Sequence, residues 1–111
     1  MGKNIIINSE FFGKGPEELG SKVMGSFLRK LCNEENKPGK IIFYNTGVKL
    51  MGEGSAMLDA LEILEKSGVD LVACGTCVNY FGIFDKIPFG RVGDMPEIIS
   101  VMMSDEGVVT I

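Results

Sequence analysis

Histidine is absent from this chain of 111 residues, and cysteine is scarce, with 3 in all. Without histidine, neither a Ser-His-Asp triad nor a Cys-His pair can form, so both kinds of nucleophilic catalysis are excluded. A zinc site would be left with thiolate and carboxylate ligands, and with so few cysteines it would need acidic side chains or a second subunit. We therefore expect no metal and no cofactor.

Positive charge and long apolar runs are also sparse. The chain has 11 Lys and Arg residues against 15 Asp and Glu residues, a net charge of −4, and it shows no basic stripe of the kind that binds phosphate backbones. No apolar run approaches the ~20 residues of a membrane-spanning helix. The chain enters Ile5-Ile6-Ile7 without the longer apolar core and cleavage site of a signal peptide. We expect a cytoplasmic protein that binds neither nucleic acid nor membranes.

The remaining composition, 45% hydrophobic and 23% charged, is that of an ordinary globular protein. A chain of this length can bury about two thirds of its unfolded surface, so we expect one domain, residues 1–111, that folds without disulfide bonds. In a reducing compartment, closely spaced cysteines indicate redox, metal or sulfur-transfer chemistry more than a structural bridge.

Apolar runs alternate with helical patterns along the chain. Strands are predicted at residues 4–8, 40–44, 69–74, 89–92 and 107–111, and helices at 16–33, at 56–66, after Gly75 and from about Pro96. This alternation predicts an α/β fold with three layers, α/β/α, around a mainly parallel sheet of about five strands. Ligands of such sheets bind beyond the carboxyl ends of the strands, where the loops 9–16, 45–55 and 74–79 emerge together.

The first helix illustrates how the helices are expected to pack. Its apolar residues recur four apart, which predicts one stripe buried against the sheet. The stripe consists of Leu19, Val23, Phe27 and Leu31, joined by Met24 and Leu28.

The segment Leu71-Val72-Ala73-Cys74-Gly75-Thr76-Cys77 stands at the centre of the predicted site. It reads as the end of a buried strand followed by a helix start, and unpaired N–H groups at a helix start stabilise negative charge. A free cysteine titrates near ~8.5 and can fall to roughly 3.5–7.5 in such a setting, so one thiol of the pair is expected to be partly ionised at neutral pH. With no histidine, the activating groups are the N–H groups of residues 75–77 and a candidate cation, Lys14 or Lys49.

Two other interpretations of the cysteine pair stay open. Cys74 and Cys77 also suit two small buried apolar residues at a strand end, or the thiols of a dithiol oxidoreductase. Cys32, at the end of the first helix, is expected to pack in the core.

Several segments resemble a known family when they are read in order. They are G-K-G-P-E-E-L-G (residues 13–20), I-I-F-Y-N-T-G-V-K-L (41–50), G-S (54–55), C-G-T-C-V-N-Y-F-G (74–82) and G-D-M (93–95). Together they resemble the DsrE-like sulfurtransferase family, and within it the DsrE-like domain of YedF-type proteins linked to selenium metabolism. The resemblance extends over essentially the whole chain.

The resemblance implies a chemistry and a set of partners. In the wider family, a cysteine just after the third strand carries sulfur as a persulfide, and the matching residue is Cys74; Cys77 belongs to the YedF-type pattern. YedF-type proteins usually carry an amino-terminal TusA-like domain, whereas this chain begins directly with the first strand. The resemblance therefore implies a TusA-like donor protein or a small persulfide donor that acts in trans, or a donor domain that lies outside the given sequence. DsrE-like proteins also form homo-oligomers, so a dimer or trimer is expected, with Phe11, Phe12, Tyr80 or Phe81 at the interface.

The sequence therefore predicts a cysteine-dependent sulfur or selenium carrier of the sulfurtransferase type. A dithiol–disulfide oxidoreductase and a non-catalytic DsrE-like interaction subunit are the alternatives. The predicted catalytic residues are Cys74 and Cys77, and the residues predicted to line the site are Gly75, Thr76, Asn79, Asn45, Gly47 and Val48.

Overall fold

Five short segments, all but one of them largely apolar, form the strands of the sheet in a computed structural model that describes residues 2–111. Isoleucine, valine and phenylalanine fill them, and the central ones are buried on both faces, as parallel strands covered by helices must be. The strands are β1 (Asn4–Ile7), β2 (Lys40–Phe43), β3 (Asp70–Cys74), β4 (Arg91–Gly93) and β5 (Val108–Thr110).

All strand pairs are parallel, and the order across the sheet is β4-β3-β2-β1-β5. The register places Ile7 beside Phe43 and Phe43 beside Ala73, so β1, β2 and β3 end at nearly the same level. The residues that follow these three strands therefore meet at one edge of the sheet. This arrangement confirms the predicted α/β fold with α/β/α layers and a parallel sheet.

The helices connect successive strands. They are α1 (Glu17–Leu31), α2 (Leu58–Lys66), α3 (Gly75–Tyr80), α4 (Met95–Met102) and a 3-10 helix (Asn45–Met51) between β2 and α2. The sequence predicted a loop at the 3-10 helix, and it placed the start of α2 two residues early. None of these helices, within residues 2–111, combines the length and apolar character needed to cross a bilayer.

The face of α1 that packs inward matches the predicted stripe only in part, at Met24 and Leu28. Leu19 is 57% exposed and Val23 is 36% exposed, whereas the buried residues of the helix are Gly20, Met24, Gly25 and Leu28. A Cβ at position 20 would lie 2.7 Å from the Cβ of Phe11. Because only a residue without a side chain fits this close to Phe11, the helix packs with its glycines inward.

Candidate thiol site at the carboxyl edge of the sheet

Cys74 and Cys77 lie on either side of the junction between β3 and α3. Cys74 is the last residue of the strand and the residue before the helix, and it is 4% exposed. Cys77 follows in the first turn of α3 and is partly exposed. Both are free thiols. The strand passes into the helix without a loop, and this holds the two sulfur atoms at the same edge of the sheet.

The residue after β2 is brought to the same place. The backbone N–H of Asn45 donates a hydrogen bond to Cys77 Sγ at 3.0 Å. Asn45 has a φ of 52°, and its side-chain Oδ1 accepts a hydrogen bond from the N–H of Thr46 at 2.9 Å. The thiol therefore faces a backbone amide that an unusual turn directs toward it.

The loop after β1 packs against this turn. Tyr44 N donates to the carbonyl of Ile7 at 3.1 Å, and Glu10 N donates to Thr46 Oγ1 at 3.3 Å. The predicted meeting of the loops that follow the first three strands is thus observed.

Cys77 opens into two clefts. The smaller, of about 350 Å³, is bordered by Asn45, Thr76, Tyr80 and Phe81. The larger, of about 390 Å³, also reaches Cys74 and is walled by α4 on one side. Its remaining lining residues are Tyr44, Asn45, Thr76, Met95, Ile98 and Met102. A reactant can therefore reach Cys77 directly, whereas Cys74 borders only the larger of these two clefts.

The electrostatics of Cys77 differ from the expected ones. Burial raises the pKa of the Cys77 thiol above its ordinary value, and interaction with the Cys74 thiol raises it further, while the Asn45 amide lowers it. The net shift is upward, so the expected lowering of a thiol pKa is not met at Cys77. Burial is the largest cause of the shift, and the Asn45 amide is the group that favours the thiolate.

Neither candidate cation, Lys49 or Lys14, directly contacts the hydrogen bond between the Asn45 amide and Cys77 Sγ. Lys49 Nζ is 4.6 Å from the centroid of the Phe81 ring and 4.0 Å from the carboxylate of Glu10. It is thus held at the rim of the smaller cleft by a ring and an acid. Lys14 is exposed in the loop before α1.

Only some of the other predicted site residues border the clefts. Thr76 and Asn45 border the clefts, and Gly75 lies between the cysteines. Asn79 is exposed on α3, whereas Gly47 and Val48 are buried residues of the 3-10 helix. Within residues 2–111, no three Cys, Asp or Glu side chains are grouped as a metal site requires.

Sequence reasoning missed the contribution of α4. Met95 and Ile98 border the larger cleft although about 20 residues separate them from the cysteines. One signal was present in the sequence: α4 has more apolar residues than a single buried face requires, and Met95, Ile99 and Met102 remain about half exposed.

Comparison with known proteins gives likenesses of structure. No protein-family model matches the chain, and no curated protein matches it in sequence. The ychN protein from E. coli superposes with a TM-score of 0.72 at 22% identity, with 100% of each chain covered. The protein MTH1491 from Methanobacterium thermoautotrophicum superposes with a TM-score of 0.70 at 16% identity, covering 98% of this chain and 99% of the other.

A third structure, of the conserved protein BT1422 from Bacteroides thetaiotaomicron, gives a TM-score of 0.67 at 16% identity, with 98% and 95% of the two chains covered. MTH1491 and BT1422 are both described as proteins of unknown function. At these identities the likeness concerns architecture alone. The chain therefore shares the three-layer fold of the ychN protein.

Proposed function

We propose that this protein is a cysteine-dependent carrier of sulfane sulfur, or of selenium in the same oxidation state. The observation that carries the proposal is the pair of free thiols at the carboxyl edge of the sheet, with Cys77 open to two clefts and hydrogen-bonded to a backbone amide. The resemblance of the segment 74–82 to YedF-type sequences supports the same chemistry.

The transfer has two balanced steps. In the first, the Cys77 thiolate attacks the outer sulfur of a donor persulfide, R–S–SH; a new S–S bond forms at Cys77, the donor S–S bond breaks, and R–S⁻ leaves. In the second, the Cys74 thiolate attacks the inner sulfur of the Cys77 persulfide. Hydrosulfide then leaves, and a Cys74–Cys77 disulfide remains, which an external dithiol reduces. An acceptor thiolate that attacks the outer sulfur instead receives it without any net oxidation of the protein.

The assignment of the first acceptor differs from the one that the family resemblance implies. The resemblance gives that role to Cys74, but Cys74 is 4% exposed. Cys77 is the more accessible thiol, and it is the one to which Asn45 donates a hydrogen bond. We assign the accepting role to Cys77 and the releasing role to Cys74. A TusA-like protein or a small persulfide is the donor in this scheme.

A dithiol–disulfide oxidoreductase is the second candidate. The interaction between the Cys74 and Cys77 thiols favours it, because a disulfide between them requires the sulfur atoms to approach each other. In that case the protein exchanges electrons with a partner thiol and never carries an extra atom.

Intact-protein mass spectrometry separates these functions. After incubation with glutathione persulfide, we expect the wild-type protein to gain the mass of one sulfur atom, which dithiothreitol removes, and then to release sulfide as its Cys74–Cys77 disulfide forms. Cys77→Ser should abolish the gain, and Cys74→Ser should retain it but release no sulfide. Cys32→Ser is the matched control and should behave as wild type, since Cys32 lies elsewhere, with its Sγ donating to the carbonyls of Leu28 and Ala60.

The other outcomes reject the proposal. Loss of two hydrogen atoms by the wild-type protein, with no gain of sulfur by the Cys74→Ser protein, supports the oxidoreductase. No change in mass after incubation with glutathione persulfide identifies a non-catalytic interaction subunit. Undiminished gain of sulfur by the Cys77→Ser protein would remove Cys77 as the acceptor.

A further inference from the structure

Asn45 has the one left-handed backbone conformation found at a non-glycine position among residues 2–111, with a φ of 52°. Left-handed backbone is unfavourable for residues that have a side chain, and asparagine tolerates it better than most because its amide can bond locally. Such conformations persist where the surrounding structure enforces them, and they cluster at functional sites. At Asn45 the strained residue is also the residue whose N–H meets the thiol.

Local hydrogen bonds hold this conformation. The side-chain oxygen of Asn45 accepts from the N–H of Thr46 at 2.9 Å, which closes a small turn. On either side, Tyr44 N donates to the Ile7 carbonyl at 3.1 Å and Gly47 N donates to the Tyr44 carbonyl at 3.0 Å. The turn is thereby fixed to the end of β1, while the N–H of Asn45 points away from this network and toward Cys77 Sγ.

We propose that Asn45 is a positioning residue for the accepting thiol: its left-handed turn aims a backbone N–H at Cys77 Sγ and thereby stabilises the thiolate that attacks the donor. This inference rests on the proposed function, in which Cys77 is the acceptor. A hydrogen bond to a charged group is stronger than one to a neutral group, so the amide favours the thiolate over the thiol. The lowering of the Cys77 pKa by this amide agrees with that direction.

Other ionisable groups face the thiol from the neighbouring elements. Cys74 approaches from the end of β3, Tyr44 borders the larger cleft and Tyr80 borders the smaller one. Lys49 and Glu10 form a pair at the rim, 4.0 Å apart. None of these groups is altered by a change at position 45 alone, so a change in the titration of Cys77 reports on the turn.

The test is the pH dependence of iodoacetamide alkylation at Cys77, resolved from Cys74 and Cys32 by peptide mass spectrometry. Asn45→Val places a β-branched residue where φ is positive, which forces the turn to change. We expect its Cys77 to alkylate roughly tenfold more slowly below the titration midpoint, because loss of one charge-assisted hydrogen bond raises the midpoint by about one pH unit. Asn45→Gly adopts the same φ without strain and should keep a profile near wild type.

If Asn45 only stabilised the fold, Asn45→Val would raise the alkylation rate of Cys77 and not lower it. A destabilised protein opens and exposes its thiols, so Cys77 and Cys32 would both react faster, with no shift of the midpoint, and that result would overturn the proposal. An unchanged Cys77 profile in a folded Asn45→Val protein would overturn it as well.

A measurement on the wild-type protein keeps the proposal testable if Asn45→Val does not fold. The amide proton of Asn45 should shift in NMR spectra with the midpoint of Cys77 alkylation, and the shift should vanish in Cys77→Ser. An Asn45 amide that does not respond to this titration would contradict the inference. Neither experiment involves persulfide. The positioning role of Asn45 can therefore fail while the carrier function stands, and the carrier function can fail while the positioning role stands.

Discussion

At the scale of single residues, Gly47 is the glycine of the thiol site at which an added side chain would clash most closely with backbone. It lies in the turn that begins at Asn45, and a Cβ there would clash with the carbonyl oxygen of Ile7 and lie 3.3 Å from the amide nitrogen of Ser9. Both atoms belong to backbone, so neither can move aside without shifting the end of β1. Gly47 thereby allows the loops that follow β1 and β2 to touch.

Gly47→Ala should lower the free energy of unfolding by about 1–3 kcal/mol, the usual cost of overpacking a buried position. Urea denaturation measures the change. Gly52→Ala is the matched control in the same segment: its Cβ would lie 3.4 Å from the side chain of Ile83, an ordinary contact, and its φ is −81°. Equal losses in the two variants would show that the close approach at Gly47 is unimportant.

At the scale of secondary-structure elements, the sequence predicted the strands to within about two residues because all but β4 contain an apolar run bounded by polar or turn residues. Helix faces were predicted less well. On α2, Ile63 is 50% exposed although it is strongly apolar, and on α1 the glycines point inward. Periodicity identifies an amphipathic helix, but the fit against its neighbours decides its rotation.

The candidate site was predictable only where its features lie close together in the sequence. The short spacing of Cys74 and Cys77 is visible in the sequence, and so is the strand that precedes them. The left-handed turn at Asn45 and the wall formed by Met95 depend on chain segments that meet only after folding. The seven-residue 3-10 helix is too short to show a clear period.

The start of α4 offers a prediction at this scale. The carboxylate of Asp94 accepts a hydrogen bond from the N–H of Glu97 at 3.1 Å and so caps the helix. Asp94→Ala should lower the free energy of unfolding by about 1 kcal/mol. Asp94→Asn keeps a capping oxygen and should lose much less. The two variants can be compared by urea denaturation, and a larger loss for asparagine than for alanine would refute the capping role.

At the scale of the whole molecule, an ionic network joins three adjacent strands to α4. Arg91 of β4 donates to Asp70 of β3 at 2.9 Å and to Glu97 of α4 at 2.9 Å, and Lys40 of β2 donates to Glu97 at 2.8 Å. Hydrogen bonds from Arg91 and Lys40 lower the pKa of Glu97 from an ordinary 4.5 to about 2. The pKa of Asp70 is also lowered, chiefly by its hydrogen bonds with Arg91.

This network predicts how stability depends on acid. Because the pKa of Glu97 is lower in the folded protein than in the unfolded chain, its contribution is complete above about 4.5 and is lost as the pH falls toward 2. Glu97→Gln should therefore flatten the dependence of the unfolding free energy on pH in that window. Glu18→Gln, which alters an exposed pair with Lys22 at 3.8 Å, is the control and should leave the curve unchanged.

The thioether wall of the larger cleft has a consequence for any experiment with oxidants. Met95 and Met102 stand about half exposed beside the thiols, so peroxide that reaches Cys77 also reaches them and converts them to sulfoxides. A pair of oxygen atoms weighs nearly as much as one sulfur atom. Oxidation of both methionines therefore gives nearly the same mass increase as one bound sulfur atom. Only the part of the increase that dithiothreitol removes can be assigned to transferred sulfur.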